Sequence, residues 1–189
     1  MTTFTVIYDA CVLYPAPLRD LLMRLALKDL VRAKWSERIL DEMQRAILST
    51  RSDLSREKIV RMRGLMNAHV RDSVVTGFER FEQSVELPDP DDRHVVAAAI
   101  RCQAQLIVTF NLKDFPDSAL QPLGLVAQHP DDFLEHLLDL HPQVVLEAVR
   151  EQRLDLKNPP NTVEEHLDAF AKQFLPKTVD ILRSYSSNL

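Results

Sequence analysis

Residues 106–116 read Leu-Ile-Val-Thr-Phe-Asn-Leu-Lys-Asp-Phe-Pro, and the first four of them decide the fold class. Leu106, Ile107 and Val108 form an unbroken apolar run closed by Thr109. A strand that is apolar at successive positions has no solvated face, as in the interior of a parallel sheet. On its N-terminal side, Val95, Val96, Ala99 and Ile100 recur at helical spacing. That helix begins in Asp89-Pro90-Asp91-Asp92. Asp89 suits the N-cap and Pro90 the first helical position, and acids favour the positive end of the helix dipole. A helix followed by a fully apolar strand is half of a βαβ unit.

The rest of the chain extends the alternation. Phe4-Thr5-Val6-Ile7-Tyr8 is β-branched and aromatic, reads as a strand, and ends at Asp9. Pro15 and Pro17 open a helix with Leu18, Leu21, Leu22, Leu25 and Ala26 on one face. A short segment, 31–35, leads to Ser36, the N-cap expected for a helix reaching about residue 48. A helix over 56–72 carries Ile59, Met62, Met66 and Val70 on one side. Residues 84–87 and 123–127 are weaker strand candidates. The class is therefore α/β, with a parallel central sheet flanked by helices. After His141-Pro142 the chain turns wholly helical: 143–156, then a helix opened by a capping box at Thr162-Val163-Glu164-Glu165 with Leu167, Phe170 and Phe174 as its apolar stripe, then 177–184 beyond Pro176. The expected division is a domain at 1–135 and an all-helical extension at 136–189.

Composition narrows the class of protein. The 189 residues are 46% apolar and 27% charged, ordinary for a soluble globular chain. No apolar run approaches the roughly 18–20 residues that span a bilayer. The N-terminus has no basic region followed by a long apolar segment, so a cytoplasmic location without membrane association is expected. Cys11 and Cys102 make neither a disulfide framework nor a zinc site. The net charge of −5 divides unevenly. Residues 19–71 hold 13 Lys/Arg against 7 Asp/Glu, and residues 72–189 hold 10 against 20. A basic middle segment is able to supply a local footprint for nucleic acid within an acidic chain.

The chemistry is expected where α/β sheets place it, beyond the carboxyl ends of the strands. Asp9 follows the first strand directly, and Asn111 and Asp114 follow the 106–109 strand. Asp92 lies three and four residues before Val95 and Val96, so it shares the sheet-facing side of its helix at the same edge. Glu42 falls just outside the apolar arc of Ile39, Leu40, Met43 and Ile47, with Arg38 and Arg45 beside it. Each acid alone also reads as a cap, a turn residue or a surface ion pair. Together they form a cluster of carboxylates that repel one another and raise one another's pKa values. A divalent cation relieves that repulsion, and all-oxygen ligation selects Mg²⁺ or Mn²⁺. Such an ion activates water against a phosphodiester.

Four stretches, VIYDACVLYP at 6–15, WSERILDEMQR at 35–45, DPDDRHVVAAAI at 89–100 and LIVTFNLKDFP at 106–116, resemble the PIN-domain ribonucleases, and among them the VapC-like toxins of toxin–antitoxin systems. The resemblance covers about residues 1–135 and implies a PIN-like, Rossmann-like fold. It implies that Asp9, Glu42 and Asp92 form an acidic metal-binding core, with Asn111 or Asp114 at the fourth position and Asp114 the ligand of the two, and that Thr109 is the small hydroxyl near the metal. Asn111 departs from an all-acid set. The resemblance further implies a cytoplasmic endoribonuclease acting on structured RNA, often transfer or ribosomal RNA, with an antitoxin partner and a homodimer. The helical extension resembles the C-terminal regions of some longer VapC-like proteins.

Two other readings stay open. One is a PIN-like fold that binds RNA or protein and cuts nothing, which the Asn111 departure favours. The other is a phosphatase, against which Asp9-Ala10-Cys11 lacks the second acid of a D-x-D pair. Cys11, Trp35 and Phe4 are expected in the core, and Arg93 is expected to touch phosphate or pair with a neighbouring Asp. His94 lies near Asp92 without an identified partner.

Overall fold

The computed structural model describes residues 3–189. Its centre is a four-stranded parallel sheet of order β2-β1-β3-β4. Strand β1 is Phe4–Tyr8, β2 Val31–Lys34, β3 Leu106–Val108 and β4 Val126–Gln128. In β1, Val6, Ile7 and Tyr8 are completely buried, as a strand covered on both faces requires. Phe4 differs from the expectation. It lies at the amino end of β1 and is 51% exposed, beside a hollow shared with Leu137 and Leu140 of the C-terminal region.

Helices α1, Ala10–Leu13, and α2, Ala16–Leu27, connect β1 to β2. The five apolar residues expected on one face of α2 are all buried. Beyond β2, the Ser36 hydroxyl accepts from Ile39 N at 3.2 Å and opens α3, Glu37–Thr50. Helix α4 is Arg56–His69 and α5 is the single turn Glu79–Glu82. Trp35 is completely buried as expected, and its indole N–H donates to Asn67 Oδ1 at 2.8 Å, which satisfies its one polar atom.

Residues 84–87 are not a strand. Ser84 N and Val85 N donate to Phe81 O and Glu82 O, so the turn closing α5 consumes the donors a ladder would need. Asp89 does cap the next element, accepting from Asp91 N at 2.9 Å, but that element is one 3₁₀ turn, Pro90–Asp92, and helix α6 proper is Arg93–Cys102. The candidate strand at 123–127 shortens to β4. Gln121–Leu123 is a 3₁₀ turn that ends at Gly124 with φ 70°, where a side chain would be strained. Helix α7, Asp117–Leu120, precedes that turn.

The C-terminal region is helical, as expected, and is larger than expected. Helix α8, Pro130–Leu140, straddles the 135/136 division. Its start, His129-Pro130-Asp131-Asp132, repeats the Pro-plus-acids signal of residues 89–92. Helices α9, Pro142–Asp155, α10, Val163–Ala171, and α11, Pro176–Ser184, follow. The Thr162/Glu165 capping box forms. Phe174 leaves the expected stripe. Helix α10 stops at Ala171, and a left-handed φ of 59° at Phe174 turns its side chain outward to 74% exposure.

The extension is bound to the α/β half by charge as well as by apolar contact. Arg24 and Lys28 of α2 pair with Asp155, Glu147 and Glu151 of α9 at 2.8, 2.9 and 3.0 Å. Within the extension, Asp131 of α8 is 3% exposed and serves as the missing cap of α11. Its carboxylate accepts from Lys177 N at 3.0 Å, Thr178 N at 2.9 Å and Thr178 Oγ1 at 2.7 Å. Replacing Asp131 with Ala leaves those donors buried and unpaired, at a cost of about 2–4 kcal/mol. Urea unfolding should show that loss, while Asp131→Asn, which keeps one acceptor, should lose less. Equal losses would show that packing rather than capping is responsible.

Candidate metal centre

Strand order places the site. The chain leaves β1 toward β2 on one side and later returns to β3 on the other. The two connections diverge above the carboxyl end of β1, and a crevice opens there. Asp9 stands at that point. It is the N-cap of α1 and is 7% exposed. Three donors hold its carboxylate: Ala10 N on Oδ1 at 2.6 Å, and Cys11 Sγ and Thr109 Oγ1 on Oδ2 at 3.1 and 2.7 Å.

Thr109, completely buried, is the hinge of this lattice. Its hydroxyl donates to Asp9 and accepts from Asn111 N at 3.0 Å, so one side chain joins the end of β1 to the loop after β3. Cys11 is only half-buried, and it is part of the site rather than plain core. Its thiol donates to Asp9, and its sulfur accepts from Phe110 N at 3.3 Å. Burial, then the Asp9 charge, push the thiol up to about 12, so it is a neutral donor at neutral pH. Sequence reasoning missed this role. The signal was the spacing Asp-x-Cys at a strand end.

Asn111 and Asp114 come together. The amide Nδ2 of Asn111 donates to Asp114 Oδ2, across the 3₁₀ turn Leu112–Asp114. Asp92 sits at the last residue before α6, makes no capping hydrogen bond, and is free to face the crevice. Its carboxyl is pushed up from 3.8 to about 6. Burial is the largest cause, followed by the charges of Asp9, Asp89, Asp114 and Glu42. The charges of Asp9, Glu42 and Asp114 all act on Asp92, and Asp89, read from sequence as a helix cap, adds to the same field.

Glu42 lies on α3 between Arg38 and Arg45, whose nearest nitrogens are each 3.8 Å from Oε1. A group not paired in the sequence reading is closer. His94, completely buried on α6, has Nε2 3.0 Å from Glu42 Oε1, off the hydrogen-bonding line. Arg38 also reaches Glu82 at 3.1 Å, tying α3 to α5 across the rim. Arg93 Nε is buried without a hydrogen-bond partner among the described residues.

The residues fit a hard divalent cation in charge and in donor type. The acids supply oxygens, and the carboxylate repulsion that adds to burial in lifting Asp92 is what a cation removes. Among the described residues, no three His, Cys, Asp or Glu side chains stand close enough as placed to grip an ion.

A prediction follows from the Asp92 shift. In the unfolded chain Asp92 returns to its ordinary 3.8, so the folded protein holds an extra proton between about pH 4 and pH 6. Stability then falls as pH rises through that window, and the full repulsion is felt above it. Asp92→Asn removes the charge and should raise the melting temperature at pH 7.5 in EDTA by a few degrees, about 1 kcal/mol after solvent screening. The gain should vanish near pH 4. A gain that does not change with pH would show that the carboxylates do not repel.

Comparison with known proteins identifies the family of the fold. A family model described as PIN domain matches residues 5–113. A second, described as VapC50 C-terminal domain, matches residues 130–184. The Mycobacterium tuberculosis (strain ATCC 25618 / H37Rv) protein named "Putative ribonuclease VapC50" is 46% identical over 82 residues, which are 43% of this chain and 48% of that protein. The chain thus spans about half the length of the curated relative it matches. No solved structure matches the chain significantly.

Proposed function

The chain belongs to the PIN-domain family and carries a helical C-terminal region of the VapC50 kind, and from that premise we propose that it is a Mg²⁺- or Mn²⁺-dependent endoribonuclease, the toxin of a toxin–antitoxin pair. One observation carries the proposal. Asp92 is lifted to about 6 by burial and then by the charges of Asp9, Asp89, Asp114 and Glu42, above the switch point of a parallel sheet, where a fold without a functional need for them would place neutral groups.

Asp9, Glu42, Asp92 and Asp114 would hold the ion. When bound, it supplies Lewis acidity and lowers the pKa of water for attack on a phosphodiester. The protein's own groups do the rest. Thr109, Cys11 and Ala10 N fix both oxygens of Asp9, and Asn111 fixes Asp114. His94 stands against Glu42 from inside the core, and Arg38 and Arg45 flank the same glutamate from the solvent side. An ion held by Glu42 would compete with those two arginines for its carboxylate; Arg45 would then be available to an RNA phosphate, and Arg38 would keep its pair with Glu82.

The partners in this reading are RNA, with transfer or ribosomal RNA as the substrate class, an antitoxin, and a second copy of the chain, in the cytoplasm. Among the described residues, no helix is long and apolar enough to cross a membrane. The second reading, a PIN fold that binds RNA or protein without cutting, draws on the Asn111 departure and on the absence of a preformed three-ligand group among the described residues.

Cleavage of total RNA by the purified protein decides between the two. Activity with Mg²⁺ or Mn²⁺, abolished by EDTA and reduced at least about 10²-fold in Asp9→Asn and Asp92→Asn with circular dichroism unchanged, is the expected result. RNA binding without turnover in either metal would favour the binding module. The double variant Arg38→Ala/Arg45→Ala should weaken RNA binding at every sequence and flatten the slope of log affinity against log salt by about 1.5, at roughly 0.7–0.9 for each lost phosphate contact. An unchanged slope would remove these arginines from the interface.

A further inference from the structure

A hollow of about 330 Å³ opens where α1, α2, α3 and α4 meet. Pro15, Ile47, Leu54 and Ile59 make its apolar floor, and Tyr14 is its aromatic side chain. Arg19, Arg51 and Lys58 stand around it, and among the described residues no acid lines it. In a chain of net charge −5 this is a local reversal of sign, and it falls within the basic stretch of residues 14–62 shared with the sequence reading of 19–71.

Two of its walls run from the acids. Asp9 caps α1 at one end and Tyr14 at the other. Glu42 lies on α3, and Ile47 and Arg51 follow it at about 7.5 and 13.5 Å along the helix axis. The Tyr14 hydroxyl and Thr50 Oγ1 are 2.9 Å apart, which joins the two walls. An extended strand that crosses Asp9 and Glu42 is thus directed into the hollow.

Arg19 is the group that calls for an anion. Its Nη1 donates to Leu13 O and Tyr14 O at 2.7 and 3.0 Å, which fixes the guanidinium. Its Nε and Nη2 carry no hydrogen bond among the described residues and remain open to solvent. Burial disfavours its charge, and the carboxylate that opposes this effect, Asp20, is itself paired with Arg24 at 2.9 Å. A fixed guanidinium with two open donors presents the fork that phosphate oxygens fit. Lys58 makes no ion pair among the described residues and is a second free cation, whereas Arg51 is held by Asp53 through two bonds of 2.7 Å. A bare inorganic anion leaves the apolar floor and Tyr14 unused. A nucleotide uses both, because its phosphate is charged and its base has apolar faces.

We infer that this hollow takes one nucleotide of an RNA strand beside the metal centre, its phosphate on Arg19 and Lys58 and its base against Tyr14 and the apolar floor. The inference rests on the reading that RNA is the partner, and it holds whether or not the strand is cut.

Binding of a fluorescein-labelled single-stranded RNA decamer to the full-length protein is measured by anisotropy in EDTA, over a range of salt. Lys58→Ala, at an exposed position, and Arg19→Gln should each weaken binding about fivefold at 0.1 M salt and flatten the slope of log affinity against log salt by about 0.7. Tyr14→Leu should weaken binding at least about fivefold with the slope unchanged, because it removes a stacking face and no charge. Arg150→Ala, which removes one charge from α9 outside the hollow, should change neither. Equal losses in Arg150→Ala and Lys58→Ala would overturn the inference, since net charge would then be the cause. Unchanged affinity in both Lys58→Ala and Tyr14→Leu, or no binding of the decamer at all, would overturn it too. A poly-glutamate decamer that binds as tightly as the RNA would overturn it in favour of an acidic protein segment. Binding that depends on the hollow, with no cleavage in Mg²⁺ or Mn²⁺, would remove the ribonuclease reading and support this one.

Discussion

Everything at the site depends on where β1 lies. It is the one strand with both neighbours reached by connections of opposite sense, and its last three residues are wholly buried. The residue that follows has no freedom to move, and that residue is Asp9. Its carboxylate is then fixed by donors from three directions, one of them Thr109 at the end of the neighbouring strand. A carboxylate held this firmly is a fixed charge, and the acids of other elements must accommodate it. Asp92 does so by giving up its ordinary acidity. The crowding is a local conflict in an otherwise consistent fold, and such conflicts mark functional sites.

Charge elsewhere is arranged to cancel. The basic stretch of residues 19–71 and the acidic extension meet at the α2–α9 contact, where Arg24 and Lys28 are absorbed by Asp155, Glu147 and Glu151. Arg63 of α4 is absorbed by Glu37 and Asp41 of α3 at 2.6 Å each. Exposed ion pairs of this kind contribute little stability singly. Their effect is to reduce how much of the positive charge is available to a nucleic acid. Of the arginines that remain near the crevice, Arg45 is held only loosely by Glu42, at 3.8 Å, and Arg38 is held closer by Glu82, at 3.1 Å.

The extension does two things with side chains that look alike on paper. Asp131 is a buried carboxylate with every hydrogen bond satisfied, and it locks α8 to α11. His166 is a buried imidazole with none among the described residues, packed edge-to-face against Phe170 at 5.0 Å. The first contributes hydrogen bonds to folding, the second apolar packing.

By itself the sequence determined the fold class and singled out the candidate acids. The apolar run 106–108, the strand ending at Asp9, the leucine face of α2, the Ser36 cap and the Thr162 capping box are local patterns whose physics is complete within a few residues, and they stand in the structure as read. The misreadings have the same origin seen from the other side. Whether residues 84–87 pair, where α10 stops, and whether Phe4 is covered depend on what lies across from them. Helix α8 was legible in its Pro-Asp-Asp start and was passed over. Tertiary structure alone decided that Cys11 and Thr109 grip Asp9, that His94 meets Glu42, and that Asp89 adds to the field on Asp92. The Thr109–Asp9 and His94–Glu42 contacts span tens of residues or more, and sequence proximity carries no information about them until the sheet and the helices have been packed.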